Sequence, residues 1–427
     1  MPDSQQSQSA VLANGTPRGW TWGFLLAGML MGALGSLLVA WQYQLDTDPR
    51  IIGVHFLALN GAVLALGFIT QKLLRRFSVK ALCIGACFIA FLGFLELSFP
   101  LFSIRLWWRV GGVALLGMSA GVMLTCLFHV VRPYYEENAA EAINVSGLLF
   151  GTGCLLVTVL VGISYPIAPS FVFSMQWDTI GLAIVPLIYL LVYSRRPSPA
   201  LTTGGRLHGD TIRGSLKDLR SVAAVLFSLL LFFQFGNEWA LAGWLPLFLI
   251  HRLGLNPASA IFVLAIYFLA LLSGRLTAQL LMTRVGHTKL LAGSITTAMF
   301  GYLLLSKTNT IFGAALATIV TGLAFAPIYA LVAEKIGRRF DYHPGFFNGI
   351  FSLAITGGML APWLLGYVGY YMGMSYVMLI PAFGSVAVLI LMLLIILESK
   401  LMGGDRERPS NPDASLLKKD LRGEPPA

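Results

Sequence analysis

Apolar runs of about twenty residues recur from one end of this chain to the other, and they fix its fold class. A helix of that length crosses the hydrocarbon core of a bilayer. Twelve runs are expected, near 20–42, 51–71, 81–101, 108–131, 142–164, 175–194, 221–250, 257–283, 290–307, 311–334, 345–370 and 375–398. Barrel strands are shorter and alternate polar with apolar residues, so an outer-membrane barrel does not fit. Composition agrees: 57% of residues are hydrophobic and only 11% charged, against about 25% charged in soluble domains. The expected class is an all-α integral membrane protein.

In such a chain the net charge of +10 reports topology rather than nucleic-acid binding. With twelve spans and both termini in the cytoplasm, Lys72, Arg75, Arg76, Lys80, Arg132, Arg195, Arg196, Arg284, Lys289, Lys335, Arg338 and Arg339 all fall inside. The opposite side receives only Arg50, Arg105, Arg109, Arg252 and Lys307. An odd number of spans scrambles that asymmetry. The expected location is a cell membrane, multi-pass, with the chain in contact with lipid. The polar ends, 1–19 and 399–427, read as disordered cytoplasmic tails. A basic, Pro/Gly/Ser-rich connector at 195–220 separates two six-helix bundles, 20–194 and 221–398.

The two halves echo one another. Span 2 leaves through GFITQKLLRRFSVKAL and span 8 through GRLTAQLLMTRVGHTKLL. Span 5 carries Gly147 and then GTG at 151–153, and span 11 carries Gly349 and then TGG at 356–358. Matching segments six spans apart mark a parallel six-plus-six repeat. Twelve spans with a long central connector resemble the major facilitator superfamily. The loop after span 2 is similar to that family's motif through Gly67, Lys72, Arg75 and Arg76, with Gln71 in place of Asp and Leu74 in place of Gly. The stretches FFQFGNEWALAGWL, SGRLTAQLLMTRVGHTKLLAG, GLAFAPIYALVAEKIG and GFFNGIFSLAITGGMLAPWLLG resemble the fucose-permease-like branch, over roughly 230–370. This resemblance implies two pseudo-symmetric bundles and alternating-access transport, commonly of a sugar with a proton. The branch pattern places acids in spans 1 and 4, and this chain has none there. Asn144 matches a polar position of that pattern, whereas its neighbouring Gln and Asn are replaced by Gly147 and Phe150.

The segment 221–251 carries Gln234, Asn237 and Glu238 near the middle of an apolar run. A carboxylate at that depth is costly and marks a pathway, a partner or a proton relay. Glu238 is the candidate for proton coupling, and a structural Glu that fixes helix 7 against a neighbour is the competing reading. Gln234 and Glu238, four residues apart, share a helix face. Amides suit hydroxylated ligands because they both donate and accept. Gln234, Asn237, Trp239, Asn144, Thr125, Tyr329 and Asn348 are therefore the candidate substrate contacts. Trp244 reads as part of the outer interfacial belt. Arg275 and Gln279 in span 8 join Lys72, Arg75, Arg76 and Arg284 as candidate gating or inner-loop groups, with a partner for Glu238 or an anion contact as the competing reading of Arg275. By rise per residue, Arg275 lies about 10 Å along the axis from Glu238, long for a direct pair.

No P-loop or HExxH sequence is present, and the four cysteines form no CxxC pair. No enzyme activity, metal or cofactor is expected. The expected partners are a sugar-like solute, a proton or sodium ion and the bilayer, with the protein acting as a monomer.

Overall fold

The computed structural model describes residues 18–45, 48–99, 105–137, 139–165, 171–199, 221–282, 284–339 and 344–401. The expected tails and most of the 195–220 connector lie outside the described residues. After a helical turn at Arg18–Thr21 come α1 (Gly23–Leu45), α2 (Pro49–Leu73), α3 (Val79–Ser98), α4 (Leu106–Glu137), α5 (Ala139–Ser164) and α6 (Phe171–Arg195). The second half holds α7 (Val222–Leu253), α8 (Pro257–Met282), α9 (His287–Lys307), α10 in two segments (Ile311–Phe325 and Ile328–Arg339), α11 (Pro344–Tyr371) and α12 (Leu379–Leu401). Twelve helices among the described residues are long and apolar enough to cross a membrane.

Local chemistry sets the ends. Ser78, Ser221 and Thr310 cap α3, α7 and α10, their hydroxyls accepting from Ala81, Ala224 and Gly313 amides at 3.2, 3.2 and 3.1 Å. Each cap satisfies one of the orphan donors of a first turn. Asp48 caps α2 with Pro49 behind it, the usual place for a residue without an amide proton. Gly254 ends α7 at φ 66°, and its amide donates to the Ile250 carbonyl at 3.0 Å. α10 breaks at Pro327, which can neither donate to the helix ladder nor fit its ring against the preceding turn.

The helix contacts repeat between halves. α1 packs on α5 as α7 packs on α11, α2 on α4 as α8 on α10, and α3 on α6 as α9 on α12. The repeat reaches single residues: Gly153 of α5 lies against the Leu25 carbonyl of α1, and Gly357 of α11 lies against the Phe232 carbonyl of α7. In each case a side-chain carbon would collide with backbone, so the helices approach this closely only at glycine. The halves join along two seams that exchange under the same symmetry, α2 with α11 and α5 with α8, with α1 against α7 between them.

Candidate functional site

Among the described residues α1 starts and α12 ends at one face, here called the terminal face. At the opposite face α2 starts and α11 ends, and there the α2–α11 seam is tight. Gly53 abuts the Trp363 carbonyl, and Gly366 abuts the Pro49 carbonyl. Arg50 forms a paired contact with Asp48, at 2.7 Å from Nη2 and 3.1 Å from Nε to Oδ2. Its guanidinium carbon lies 3.6 Å from the centroid of the Tyr370 ring on α11. Arg50 and Tyr370 thus clip one half to the other by a cation–π contact. The Asp48 carboxyl, outside the spans, is held below the usual carboxylate range by its hydrogen bond to the Arg50 side chain.

Deeper in, polar groups gather where α5, α7, α8 and α10 converge. Glu238 is half-buried near the middle of α7. It lies within electrostatic reach of Arg275 and Tyr267 on α8, Tyr302 on α9, Tyr329 on α10 and Cys154 on α5. No direct ion pair joins Glu238 to Arg275 among the described residues. The Arg275 side chain crosses the α5–α8 seam instead. One of its terminal nitrogens fills the place a Cβ of Gly147 would take, so only glycine admits it. Asn144, one turn away on α5, donates from Nδ2 to the Arg275 carbonyl at 3.3 Å. Helical side chains lean toward their own N-terminus, which carries the Arg275 guanidinium from its Cα toward the membrane centre.

Three polar atoms here have no hydrogen-bond partner among the described residues: Arg275 Nε, Gln234 Nε2 and the Tyr267 hydroxyl. Gln234 is 1% exposed and Tyr267 is fully buried. Unpaired buried donors are costly, and these ask for acceptors that the described residues do not supply. Trp239 borders the cluster, its ring edge-on to Phe150 across the halves with centroids 6.3 Å apart. Tyr329 stands edge-on to Phe235 at 5.3 Å and packs with Ile143, Ala330 and Ala333 toward the terminal face.

Other candidates point elsewhere. Asn237 is turned away from the cluster: its Nδ2 donates to Ser385 on α12 at 3.3 Å, and its carbonyl accepts from the Tyr302 hydroxyl at 2.6 Å. Three residues from Gln234, it falls on the flank of the shared face that packs inside the bundle. Thr125 returns its hydroxyl to the Gly121 carbonyl at 2.8 Å within α4. Trp244 is not in an interfacial belt. It is fully buried, and its Nε1 donates to the Pro362 carbonyl of α11 at 2.9 Å. Lys72, Arg75, Arg76 and Arg284 are exposed at and after the ends of α2 and α8. The side chains of Gln279 and Asn348 lie outside the described residues, though both positions are helical. Arg109, expected on the opposite surface, is buried because α4 begins at Leu106 and places it inside the first turn, in reach of buried His55 on α2. Sequence reasoning missed His55, Tyr267 and Tyr302. A lone polar group in an apolar run is the only signal they carry.

Twelve spanning helices in two interleaved, symmetry-related sets are now placed, with a polar cluster between them. The fold is that of the major facilitator superfamily. That superfamily's model matches residues 227–427. The sialic acid transporter NanX of Escherichia coli is 28% identical over 300 residues, covering 64% of this chain and 68% of NanX. Among solved structures, the nucleoside transporter NupG superposes with a TM-score of 0.69 at 15% identity, covering 88% of this chain and 98% of that one. The Escherichia coli fucose:proton symporter FucP gives 0.61 at 19% identity with the same coverage. Sugar, nucleoside and peptide transporters match comparably, so the likeness is to the superfamily fold as a whole and not to the fucose-permease branch in particular.

Proposed function

We propose that this protein is a secondary active transporter that moves a small polar solute, a sugar in class, across the cell membrane by alternating access with proton symport. The observation that supports this reading most is the polar cluster of Glu238, Arg275 and Asn144, where α5 meets α8. Rocking the halves about that line exposes the cluster to each face in turn. Closure of the α2–α11 seam on one face supplies one of the two end states such a cycle needs. Glu238 is the group that exchanges the proton. Its charge is offset by Arg275 at a distance rather than by a direct pair, which leaves it free to gain and lose a proton as its surroundings change. The solute's hydroxyls engage Gln234, Tyr267 and Tyr329. The excess of basic residues in the loops of the terminal face supports cytoplasmic termini, and with them an external closed face.

Proteoliposomes with an imposed pH gradient test the coupling. Wild type accumulates solute when the outside is acid, and Glu238→Gln abolishes accumulation while retaining exchange between equal solute pools. Accumulation that survives in the Gln variant removes Glu238 from the coupling role. Solute movement indifferent to the gradient in wild type makes the protein an uncoupled facilitator on the same fold.

A further inference from the structure

In the reading above, the Arg275 guanidinium only offsets Glu238 at a distance. A cation inside a membrane protein is held by an opposite charge, by backbone carbonyls or by water. Here its Nε is shielded from solvent and has no acceptor among the described residues. Glu238 lies within electrostatic reach, yet no direct ion pair is made. The position is nonetheless built. Gly147 clears the space that one terminal nitrogen occupies, and Asn144 ties down the backbone from which the side chain springs. A planar cation of fixed charge, positioned from two helices and short of acceptors, is matched by a carboxylate, which takes two parallel N–H donors at once.

We propose that Arg275 is the anchor for an acidic group on the solute, so that the carried molecule is a sugar acid rather than a neutral sugar. The proposal rests on the transport reading above and narrows it. The carboxylate docks on Arg275 at the α5–α8 seam, and its entry supplies the acceptor that Nε lacks. The solute's hydroxyls are left to Gln234, whose Nε2 is buried and unpartnered, and to the Tyr267 hydroxyl, unpartnered in the same way. Both groups suit a polyol body. Because the guanidinium lies between the halves, a bound acid touches both, and binding is felt by the rocking motion itself. Glu238 then competes with the solute for the same positive charge, which ties proton uptake to solute binding without contact between proton and solute.

The test uses the purified full-length protein and pairs of solutes that differ by an acidic group: glucuronate against glucose, and N-acetylneuraminate against N-acetylmannosamine. Equilibrium binding in wild type is expected to favour the acid of at least one pair by about 10-fold or more, the range of a charge-assisted hydrogen bond. Arg275→Gln brings the acid-to-neutral ratio to about 1. Arg275→Lys, which keeps the charge and loses the planar fork, retains an intermediate ratio. A purely structural arginine lowers binding of both members alike and leaves the ratio unchanged. The proposal is overturned if wild type binds the neutral member as well as the acid in both pairs, if it binds neither acid, or if Arg275→Gln keeps the preference. Should Arg275→Gln not fold, the wild-type and Arg275→Lys ratios decide. Counterflow in proteoliposomes separates the two readings: counterflow of a neutral sugar without acid preference overturns the anchor and leaves transport standing. No counterflow of any of the four solutes overturns both.

Discussion

The two seams between the halves are copies of one another by symmetry and opposite in chemistry. Along α2–α11, glycines meet carbonyls, and Arg50 lies over Tyr370 at the rim. Along α5–α8, a glycine meets a cation, and an amide reaches across to hold that cation's backbone. Apolar close packing is bistable, since it is either seated or apart. A polar contact with unmet hydrogen-bonding capacity changes strength with what occupies it. One seam is therefore suited to closing a face, and the other to registering what lies inside.

Substitutions that strike one seam at a time can break this division. The largest effect is expected from Gly366→Leu, which sets a branched side chain against the Pro49 carbonyl. Overpacking of this kind costs about 1–3 kcal/mol and shifts the closed population by up to about 100-fold. The readout is the labelling rate of a cysteine introduced as Met359→Cys, beside Gly61 on the same seam. That rate rises sharply, and an unchanged rate shows that this seam is not the closure.

Gly147→Ala comes next. Its methyl evicts the guanidinium from its place and weakens solute binding by about 10-fold, the scale of one charge-assisted contact, while Met359→Cys labelling stays at the wild-type rate. The reverse pattern would exchange the roles given to the two seams. Tyr370→Ala removes the cation–π contact, worth about 0.5–1 kcal/mol at an exposed site, and raises labelling about 2- to 5-fold.

The smallest effect is that of pH on the same rim. Because Arg50 holds the Asp48 carboxyl below its ordinary range, the help Asp48 gives in holding Arg50 in place over Tyr370 is fully present above about pH 3.9. It is lost as pH falls through the lower folded value. Labelling should rise only in that acid window, and Asp48→Asn should remove the rise.

Much of the architecture was legible in the sequence, because the bilayer imposes a single length rule on every span. The α10 break could be read in Pro327, and the repeat in glycines six spans apart. The site was legible only in part. Spacing put Gln234 and Glu238 on one face; the structure keeps Glu238 in electrostatic reach of Arg275 and buries Gln234 one turn away with its Nε2 unpartnered. Spacing also put Asn237 near that face, but a helix turns 100° per residue, and that flank belongs to α12. Trp244 shows the same limit, since depth along a helix says nothing of which neighbour has a carbonyl to offer. Arg275 was legible as a candidate, but its reach to the seam was not. Distances along helix axes ignore the reach of a long side chain, and here that reach is what brings the cation to the seam.

The glycine that admits this cation also bears on how the protein is made. Gly147 lies in the first half and Arg275 in the second, so the receptacle is synthesised before the charge that fills it. When α8 leaves the ribosome, a helix able to shield its arginine from lipid already stands in the membrane. Produced alone, residues 221–427 would present that arginine to hydrocarbon at a cost of several kcal/mol. The two halves are unequal in biogenesis: the second needs the first already inserted, and a split version of the protein would have to supply them together.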